Sequence, residues 1–596
     1  EVISSIENQT ENVNSNLTPT LAEKYQVIYD GNAPERSSVE NIPNSEVQSV
    51  FDTVEITEEE PSCKGYIFQG WEIVTDNVKK IGSDYFIMPE ENVVLRAKWS
   101  SIKLAKSMDG VVSEQGDPIM KGSSWWTSEY DKADVTSIEM KTNIDVPDTA
   151  IYFWDVSQAG DMSVVAYLED DGSGNGTYKV TIGGRGGVIA NSNCFQLFSN
   201  FSGVISIDLS NFDTSNVSNM SQMFNRCKAL EKLDIKSFNT SNVTNMRQMF
   251  LNCTSLVELD ISNFDTSKLT NMGGMFNSCN SLGQIDLSNF DTSSVVNMEG
   301  MFLHCYALTS LDLSSFNTSN VTTMSSMFAY SRNLERLDLS NFNTSNVTNM
   351  LSMFHDCNSL IEIDVSNFNT SKVTNMQNIF NTCSSLVNLD ISSFDTSNVV
   401  NMGGMFYRCS SLTQLNVDNF DTSKVINMES MFDNCTNITN LDVSHFNTSN
   451  VENMRWLFRA CYNLTSLNLS TFDTAKVTDM VGMFNNCQNL ISLDINHFNT
   501  TNVINMDGMF AHCFDLQSLD LSSFDTSNVE NMSQLFYNCR SLTVLNLENA
   551  VFDSVTVFSN MFNGASNLEV IVKDEEERVW IQDKLGSNGT AVIVSV

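Results

Sequence analysis

The chain has 596 residues, of which 72 are acidic and 32 are basic, and its net charge is −40. This charge argues against nucleic-acid binding and against an anionic membrane surface. No apolar stretch approaches the roughly 18–20 residues of a membrane span, so we expect no membrane insertion in this segment. Because the chain begins at Glu1 rather than Met, we expect a mature or trimmed form without its export and anchoring signals.

The N-terminal part divides into a polar stretch and a small module. Residues 1–24 are rich in Asn, Ser, Thr and Glu, which predicts a flexible tail. Residues 25–100 resemble the Listeria–Bacteroides (internalin B-type) repeat in four segments: Tyr25-Gln-Val-Ile-Tyr-Asp, Gly65-Tyr-Ile-Phe-Gln-Gly-Trp71, Met88-Pro89 and Leu95-Arg-Ala-Lys-Trp99. The resemblance implies one β-grasp-like module of an exported protein.

Residues 101–203 read as a β-rich segment. Strands are predicted at 151–154, 164–168, 178–182 and 188–189, because apolar and β-branched residues alternate there with Gly-rich turns. The Gly-rich run 183–187 lacks the Lys-Ser/Thr ending of a phosphate-binding loop, and we interpret it as a tight hairpin. We expect this segment to cap the apolar core of the part that follows.

A 26-residue period dominates residues 204–568, where thirteen phenylalanines stand in strict register from Phe212 to Phe524. One unit, beginning at Leu233, reads LDIKSFNTSNVTNMRQMFLNCTSLVE. A unit of this kind cannot bury its apolar face alone and is stabilised by stacking on its neighbours. The period predicts an α/β solenoid of about 14 repeats that resembles a leucine-rich-repeat protein, preceded by small N-terminal β modules.

The pattern within the unit predicts a strand, a turn and a short helix. Leu-Asp-Leu/Ile/Val has the period of two that is typical of a half-buried strand. The F-[DN]-T-S segment has the chemistry of an Asx or Ser/Thr turn. Met246, Met249, Phe250 and Cys253 then fall at helical spacing, and Asn245 could cap that helix. Stacked units would form one parallel sheet with helices on the opposite face.

The repeat frame LDLSNFDTSNVTNMxxMFxxC, first met at Leu209–Cys227, resembles the leucine-rich repeats of BspA-like bacterial surface proteins. The resemblance extends over about 204–568 and implies an extracellular bacterial protein, wall-displayed or secreted. Neither family resemblance implies a catalytic residue.

Twelve of the fourteen cysteines recur at one repeat position, where Ser331 and Ala565 also stand. A position that accepts Ser or Ala needs a small buried residue, so we interpret the column as free thiols. Pairing between neighbouring repeats stays open as an alternative, since stacked repeats lie about 4.8 Å apart.

Residues 569–596 are predicted to form a C-terminal cap. Leu568 to Val572 reads as a last strand, and Asp574 to Leu585 as a helix whose acidic first turn suits the helix dipole.

Aspartate recurs at the outward strand position of most repeats, and Asn replaces it at 416, 468 and 546. The column could bind cations or a basic ligand. The neutral Asn residues favour a structural role, and single carboxylates from successive strands match Ca²⁺ poorly.

The candidate binding residues are those that interrupt the repeat. Trp456 is the only Trp within the repeats, and it stands where neighbouring repeats have Ser430 and Gly482. Trp, Tyr and Arg are enriched at binding hot spots. The predicted site comprises Arg455, Trp456, Arg459 and Tyr462, with Tyr407 and Arg408 two repeats away. The alternative is packing, in which Arg455 pairs with Glu429, Arg459 pairs with Asp433, and Trp456 lies over Gly482.

We therefore expect a protein that binds rather than catalyses, adhesin-like, with an extracellular protein or glycan as its partner. The five histidines are scattered and suggest neither a metal site nor a catalytic group, and no cofactor is implied. Two alternatives remain: a structural stalk that presents another domain, and a glycan- or cell-wall-binding protein that uses aromatic platforms.

Overall fold

The computed structural model describes residues 23–33, 39–63, 66–82, 84–101 and 117–594. The predicted tail, 1–24, falls almost entirely outside these residues. The chain divides into two compact units: the described part of one comprises residues 23–101, 144–154 and 166–169, and that of the other comprises 117–143, 155–165 and 170–594.

The N-terminal module of the first unit consists of strands in its described residues. Its main sheet has the order β2-β5-β6-β9-β1-β3, with β1 parallel to β9, and a second sheet has the order β4-β8-β7. Val27, Phe86 and Leu95 are fully buried in its core. The strands are β1 (Lys24–Asp30), β2 (Val39–Glu40), β3 (Glu46–Ser49), β4 (Thr53–Glu55), β5 (Ser62–Cys63), β6 (Tyr66–Ile73), β7 (Lys79–Ile81), β8 (Tyr85–Ile87) and β9 (Val93–Ser101).

The strands predicted between 151 and 189 are confirmed. Two 3₁₀ turns, Ser123–Trp125 and Lys132–Asp134, come before them, and within the second unit β10 pairs in parallel with β13 and with β15. The strands are β10 (Val135–Lys141), β11 (Tyr152–Asp155), β12 (Val164–Asp170), β13 (Tyr178–Gly184), β14 (Val188–Ile189), β15 (Ser206–Asp208) and β16 (Phe212–Asp213).

Within the second unit, Trp125 packs against the residues that lead into the repeats. Its side chain is buried, its Nε1 donates to the carbonyl oxygen of Leu197 at 2.6 Å, and its ring stacks on Phe201 at 5.7 Å. Phe198, beside it, stacks on Phe224, the next ring of a column that continues through the repeats. The tryptophan therefore covers apolar surface at the start of that column.

The repeats form coils, each paired in parallel with the next. Isolated bridges join the residue before the first Met of each repeat to its equivalent 26 residues later, from Asn193 to Val557. The inward strand residues Leu233 and Ile235 are buried and Asp234 between them is exposed, as predicted. Regular strands are short: β17 (Lys232–Leu233), β18 (Glu258–Leu259), β19 (Arg336–Asp338), β20 (Glu362–Asp364), β21 (Ser518–Asp520) and β22 (Val544–Asn546).

The prediction of a short helix after each turn is wrong. Residues 246–253 form successive tight turns, with left-handed backbone at Gln248 (φ 57°) and Asn252 (φ 60°). The backbone N–H groups of Met246, Gln248 and Phe250 donate to carbonyl oxygens of the following coil at 2.9–3.0 Å. Bonds between coils thus replace the bonds within a helix, although the same side chains are buried.

A threonine in each F-[DN]-T-S turn joins neighbouring coils. Thr344 is buried, its hydroxyl donates to the carbonyl oxygen of Asn369 at 2.9 Å, and it accepts from the N–H of Asn369 at 2.8 Å. Equivalent donors run from Thr214 to Thr526. This threonine column satisfies a backbone N–H or carbonyl group of each following coil.

All fourteen cysteines are free and buried, as predicted for the column of small residues. Each repeat thiol also has a role that the sequence did not reveal: Cys357 Sγ donates to the carbonyl oxygen of Phe328 at 3.1 Å. Ser331 fills the same role with Oγ 2.9 Å from the carbonyl oxygen of Phe302, which explains why Ser is accepted there.

The C-terminal strand and helix are confirmed. Strands β23 (Leu568–Val572) and β24 (Gly589–Ile593) continue the sheet of β21 and β22 in parallel. Between them lies α1 (Glu575–Leu585), whose first turn is capped by Asp574, which accepts from the N–H groups of Glu576 and Glu577. In the described parts of the chain, no helix combines the length and the apolar character that crossing a bilayer needs.

Candidate functional site

A cleft of about 290 Å³ opens where four successive coils carry irregular residues. It lies on the turn segments that were predicted to be helices, between residues 377 and 459. Three of the six predicted site residues, Tyr407, Trp456 and Arg459, line it. The other lining residues are Gln377, Asn378, Asn381, Gly403, Gly404, Asn427, Glu429, Ser430 and Asp433.

Asp433 is the most unusual member of the cleft, because it is a fully buried carboxyl. Its Oδ1 accepts from Arg459 Nε at 3.0 Å and from Asn434 Nδ2 at 2.7 Å, and its Oδ2 has no partner. Burial raises the pKa of this carboxyl to about 6, although Arg459 favours the charged form. The site therefore contains an acceptor that no protein group satisfies.

Trp456 is held by two arginines and by the backbone. The guanidinium carbon of Arg455 lies 4.1 Å from its ring centroid and that of Arg459 lies 4.7 Å away, within the range of cation–π attraction. A Cβ on Gly482 would come within 2.7 Å of the Trp456 ring, so the ring lies on that glycine. Trp456 is partly buried rather than freely exposed.

One of the two ion pairs considered from the sequence is present. Arg459 pairs with Asp433, as predicted. The pairing of Arg455 with Glu429 is wrong: Arg455 leans across Trp456 to Asp479 of the following coil, at 3.4 Å. Glu429 accepts instead from Asn453 Nδ2 at 3.2 Å. Glu429 is thus left facing the cleft.

The three remaining predicted residues do not line the cleft. Arg408 is exposed, with its guanidinium carbon 5.1 Å from the ring of Tyr407. Arg455 lies on Trp456, and the side chain of Tyr462 is exposed on its own coil. The structure therefore brings together the tryptophan, one arginine and one tyrosine of the predicted set.

Glycines and amides complete the cleft, and the sequence analysis missed them. A Cβ on Gly403 would lie 2.9 Å from Asn427 Nδ2, and one on Gly404 would collide with Oδ1 of Asn378. Asn381 Nδ2 donates to the same Oδ1 at 2.8 Å. Two features of the sequence could have indicated these residues. Gly403 and Gly404 are adjacent glycines one repeat before Asp433, and Asp433 is the only acidic residue at its position of the 26-residue repeat.

A second irregular cluster lies where Ser331 interrupts the cysteine column. The hydroxyl of Tyr330 lies 2.9 Å from His355 Nε2, and its ring stacks on His304 at 4.5 Å. Arg332 pairs with the largely buried Asp356 at 2.6 Å. Burial lowers the pKa of both histidines. The side chains of this cluster interact with one another through these contacts, and Nδ1 of His355 is a buried atom without a hydrogen-bond partner.

The aspartate column has a structural role in most repeats. The Oδ1 atom of Asp234 accepts from the N–H of Lys236 at 3.1 Å, and Asn416 makes the same bond to Asp418 at 2.8 Å. Hydrogen bonds from Ser262 lower the pKa of Asp260 to about 2. In the described residues, no group of three or more His, Cys, Asp or Glu could hold a metal ion.

Comparison with known proteins identifies the repeats. The family described as "Mycoplasma protein of unknown function, DUF285" matches residues 190–309, 275–385, 352–468 and 453–574. No curated protein matches the chain.

Two solved structures are similar at low identity. One, a TLR13–ssRNA13 complex, is 15% identical with a TM-score of 0.20; the match covers 68% of this chain and 57% of that one. The other, the pneumococcal vaccine antigen PcpA, is 13% identical with a TM-score of 0.23, covering 78% of this chain and 90% of that one. This chain therefore spans less than two thirds of the TLR13 chain.

Proposed function

The chain belongs to the DUF285 family, and on that premise we propose that it is a bacterial surface or secreted protein that acts by binding, as an adhesin does. The repeats would form a leucine-rich-repeat-like solenoid. The parallel pairing of each coil with the next supports this interpretation. The partner would be an extracellular protein or glycan, recognised at the cleft around Asp433, Tyr407, Trp456 and Arg459.

The unpartnered Oδ2 of Asp433 carries the proposal. A buried acceptor without a partner costs about 1–3 kcal/mol, and more when it is charged. Elsewhere in the repeats the buried turn threonines and thiols bond across coils. The other unpartnered buried atoms there are not carboxylate oxygens: they are Oδ1 of Asn225, Asn280 and Asn358 and Nδ1 of His355. An unsatisfied carboxyl that lines an open cleft is best explained by a ligand that completes its bonding.

Two sequence observations support a location outside the cell. The repeat frame resembles that of BspA-like surface proteins, and residues 25–100 resemble a module of exported proteins. The action would be binding without catalysis, because neither family resemblance implies a catalytic residue.

A structural stalk is the alternative, and the unbroken phenylalanine column favours it. Rings from Phe224 to Phe562 stack at 5.5–6.0 Å in neighbouring coils. A stalk needs this regularity, but it has no use for an open cleft with an unpaired carboxyl. Loss of the cleft would leave a stalk unaffected.

The test is the binding of the full chain to immobilised extracellular-matrix proteins and to epithelial cells, with Trp456→Ala beside it. We expect binding to fall at least tenfold, as for a hot-spot aromatic, and the melting temperature to change little, because Trp456 lies outside the core. Gln248→Ala is the matched control, since Gln248 occupies the same repeat position with the same left-handed backbone. Saturable binding that the tryptophan variant retains would contradict this site, and no binding by the wild-type chain would favour the stalk.

A further inference from the structure

We propose that the cleft binds one uncharged sugar ring of a glycan, whose hydroxyl groups donate to the free carboxylate oxygen of Asp433. This inference rests on the proposed function and assigns its ligand a chemical class. Four features of the cleft support it: its charge balance, its hydrogen-bonding groups, its aromatic wall and its glycine floor.

The charges in the cleft are already compensated. Arg459 pairs with Asp433 at 3.0 Å, and Arg408 and Glu429 add one further charge of each sign nearby. A strongly charged ligand would leave one of these groups without a counter-charge in a partly buried site, which is costly. A neutral ligand that brings hydroxyl donors satisfies Oδ2 of Asp433 without disturbing the pair with Arg459.

The polar lining consists mainly of side-chain amides. Each amide of Asn378, Asn381, Asn427 and Gln377 has both a donor and an acceptor. The bond from Asn381 Nδ2 to Asn378 Oδ1, at 2.8 Å, holds two of them in fixed orientation. Some of these groups already have partners: Asn427 accepts from the N–H of Glu429 at 3.0 Å and donates to Asn401 Oδ1 at 3.2 Å, and Gln377 Oε1 accepts from Asn401 Nδ2 at 3.1 Å. The N–H groups and lone pairs that remain suit a sugar hydroxyl, which both donates and accepts, better than an ammonium group, which only donates, or a phosphate, which mainly accepts.

The apolar part of the wall comes from the rings of Tyr407 and Trp456. The C–H groups of a sugar ring are apolar and would pack beside these rings, of which Trp456 already has Arg455 and Arg459 against its face. Convergent polar groups beside aromatic rings are the usual composition of a small-ligand site. The volume of about 290 Å³ lies at the lower end of such sites and suits a single ring with its substituents.

The glycine at position 404, on the floor of the cleft, is not required by the left-handed backbone conformation. Gly404 has φ 61°, but Gln248 and Ser430 hold the same position with φ 57° and 56°. A side chain is therefore tolerated there in other repeats. At Gly404 and Gly403 the absence of a Cβ makes room for the amides of Asn378 and Asn427, and this places those two amides in the wall of the cleft.

The experiment measures binding of the full chain to neutral oligosaccharides of hexoses and N-acetylhexosamines, to sialylated and sulfated glycans, and to lysine-rich peptides. The variant Gly404→Gln displaces the Asn378 amide and puts a larger side chain at the cleft, on a backbone conformation that glutamine already adopts at Gln248. Gly300→Gln is the matched control, because Gly300 has φ 57° at the same position outside the cleft. We expect saturable binding of a neutral glycan that weakens at least tenfold in Gly404→Gln and is unchanged in Gly300→Gln.

A second variant keeps the test valid if Gly404→Gln fails to fold. Asp433→Asn keeps the shape of the side chain but removes the charged acceptor, and Asn381 and Asn485 already stand in the same column. We expect it to fold and to bind the glycan about tenfold more weakly. The inference is overturned if no neutral glycan binds, if only charged probes bind, or if both variants bind as the wild type does.

The failure of this inference can be told apart from failure of the proposed function. If the cleft variants lose binding to cells or matrix proteins while no sugar binds or competes, the proposed function stands and the sugar assignment fails. If binding to cells and matrix proteins survives both cleft variants, the cleft is not the site and both fail.

Discussion

Asp433 is the residue at which local packing and charge oppose each other. Arg459 favours its charged form, while full burial with one unpartnered oxygen favours the neutral form, and burial prevails. Its pKa is about 6 in the folded chain, compared with an ordinary value of 3.8. The folded state therefore holds a proton that the unfolded state has released over roughly pH 4 to 6.

The sign of the pH dependence follows from that difference. The contribution of Asp433 to the free energy of unfolding falls as pH rises through this range and stays lower above it. We expect Asp433→Asn to remove this fall, so that the variant gains stability relative to the wild type between pH 4.5 and 7.5. Urea unfolding at the two pH values measures the gain.

Asp364→Asn provides the contrast at another repeat. Hydrogen bonds from Ser366 lower the pKa of Asp364, so the stability that it contributes is lost only as pH falls below its ordinary value. Its effect should be nearly equal at pH 4.5 and 7.5. A relative gain for Asp433→Asn no larger than this contrast would contradict a raised pKa at Asp433.

The predicted site shows what single residues in a repeat can reveal. Tyr407, Trp456 and Arg459 stood out because they interrupt a regular column, and the structure places all three around one cleft. Two features were beyond the sequence: the free oxygen of Asp433, and the choice of Asp479 by Arg455. Both depend on how the side chains of neighbouring coils pack against one another, and the 26-residue period does not determine that packing.

At the scale of one coil, the threonine of the F-[DN]-T-S turn is the main polar link. Thr344→Val keeps the shape but leaves the N–H and the carbonyl of Asn369 without their partner. We expect a loss of about 1–3 kcal/mol in the free energy of unfolding, measured by urea denaturation. Thr348→Val is the control, because this exposed threonine donates to the carbonyl oxygen of Thr322 at the surface, where water can replace it. Equal losses in the two variants would refute the role of the buried column.

The coil also shows why the helix was predicted and is absent. Met246, Met249, Phe250 and Cys253 are all buried, as the helical spacing required. Two tight turns with left-handed residues at 248 and 252 produce the same spacing of buried side chains. Periodicity identifies which residues are buried, but whether a backbone N–H bonds within its coil or to the next is a property of the stack. The strands between 151 and 189, the free thiols and the capped C-terminal helix depend on local chemistry, and they were predicted correctly. The one parallel sheet predicted for the repeats is found in the described residues only as short, separate groups of strands.

Across the whole molecule, the net charge of −40 is distributed so that the repeats remain compatible with stacking. Like charges that recur about every 4.8 Å should repel. Most outward carboxylates are instead held by a backbone N–H two residues later, as in Asp286 and Asp338, whose pKa values are lowered by these bonds. The charge thus keeps the surface solvated while each coil supplies its own compensation.

The parallel pairing of coils has a mechanical consequence. Bonds between coils lie along the direction in which the coils stack, so tension applied between Phe212 and Phe552 would load them one coil at a time rather than all together. Each coil that peels away frees 26 residues, on the order of 80–90 Å of extended chain. Single-molecule pulling should therefore record a series of nearly equal lengthening steps at similar forces, and one abrupt rupture of the whole array would contradict it. A chain built in this way would lengthen in steps under load instead of unfolding in a single event.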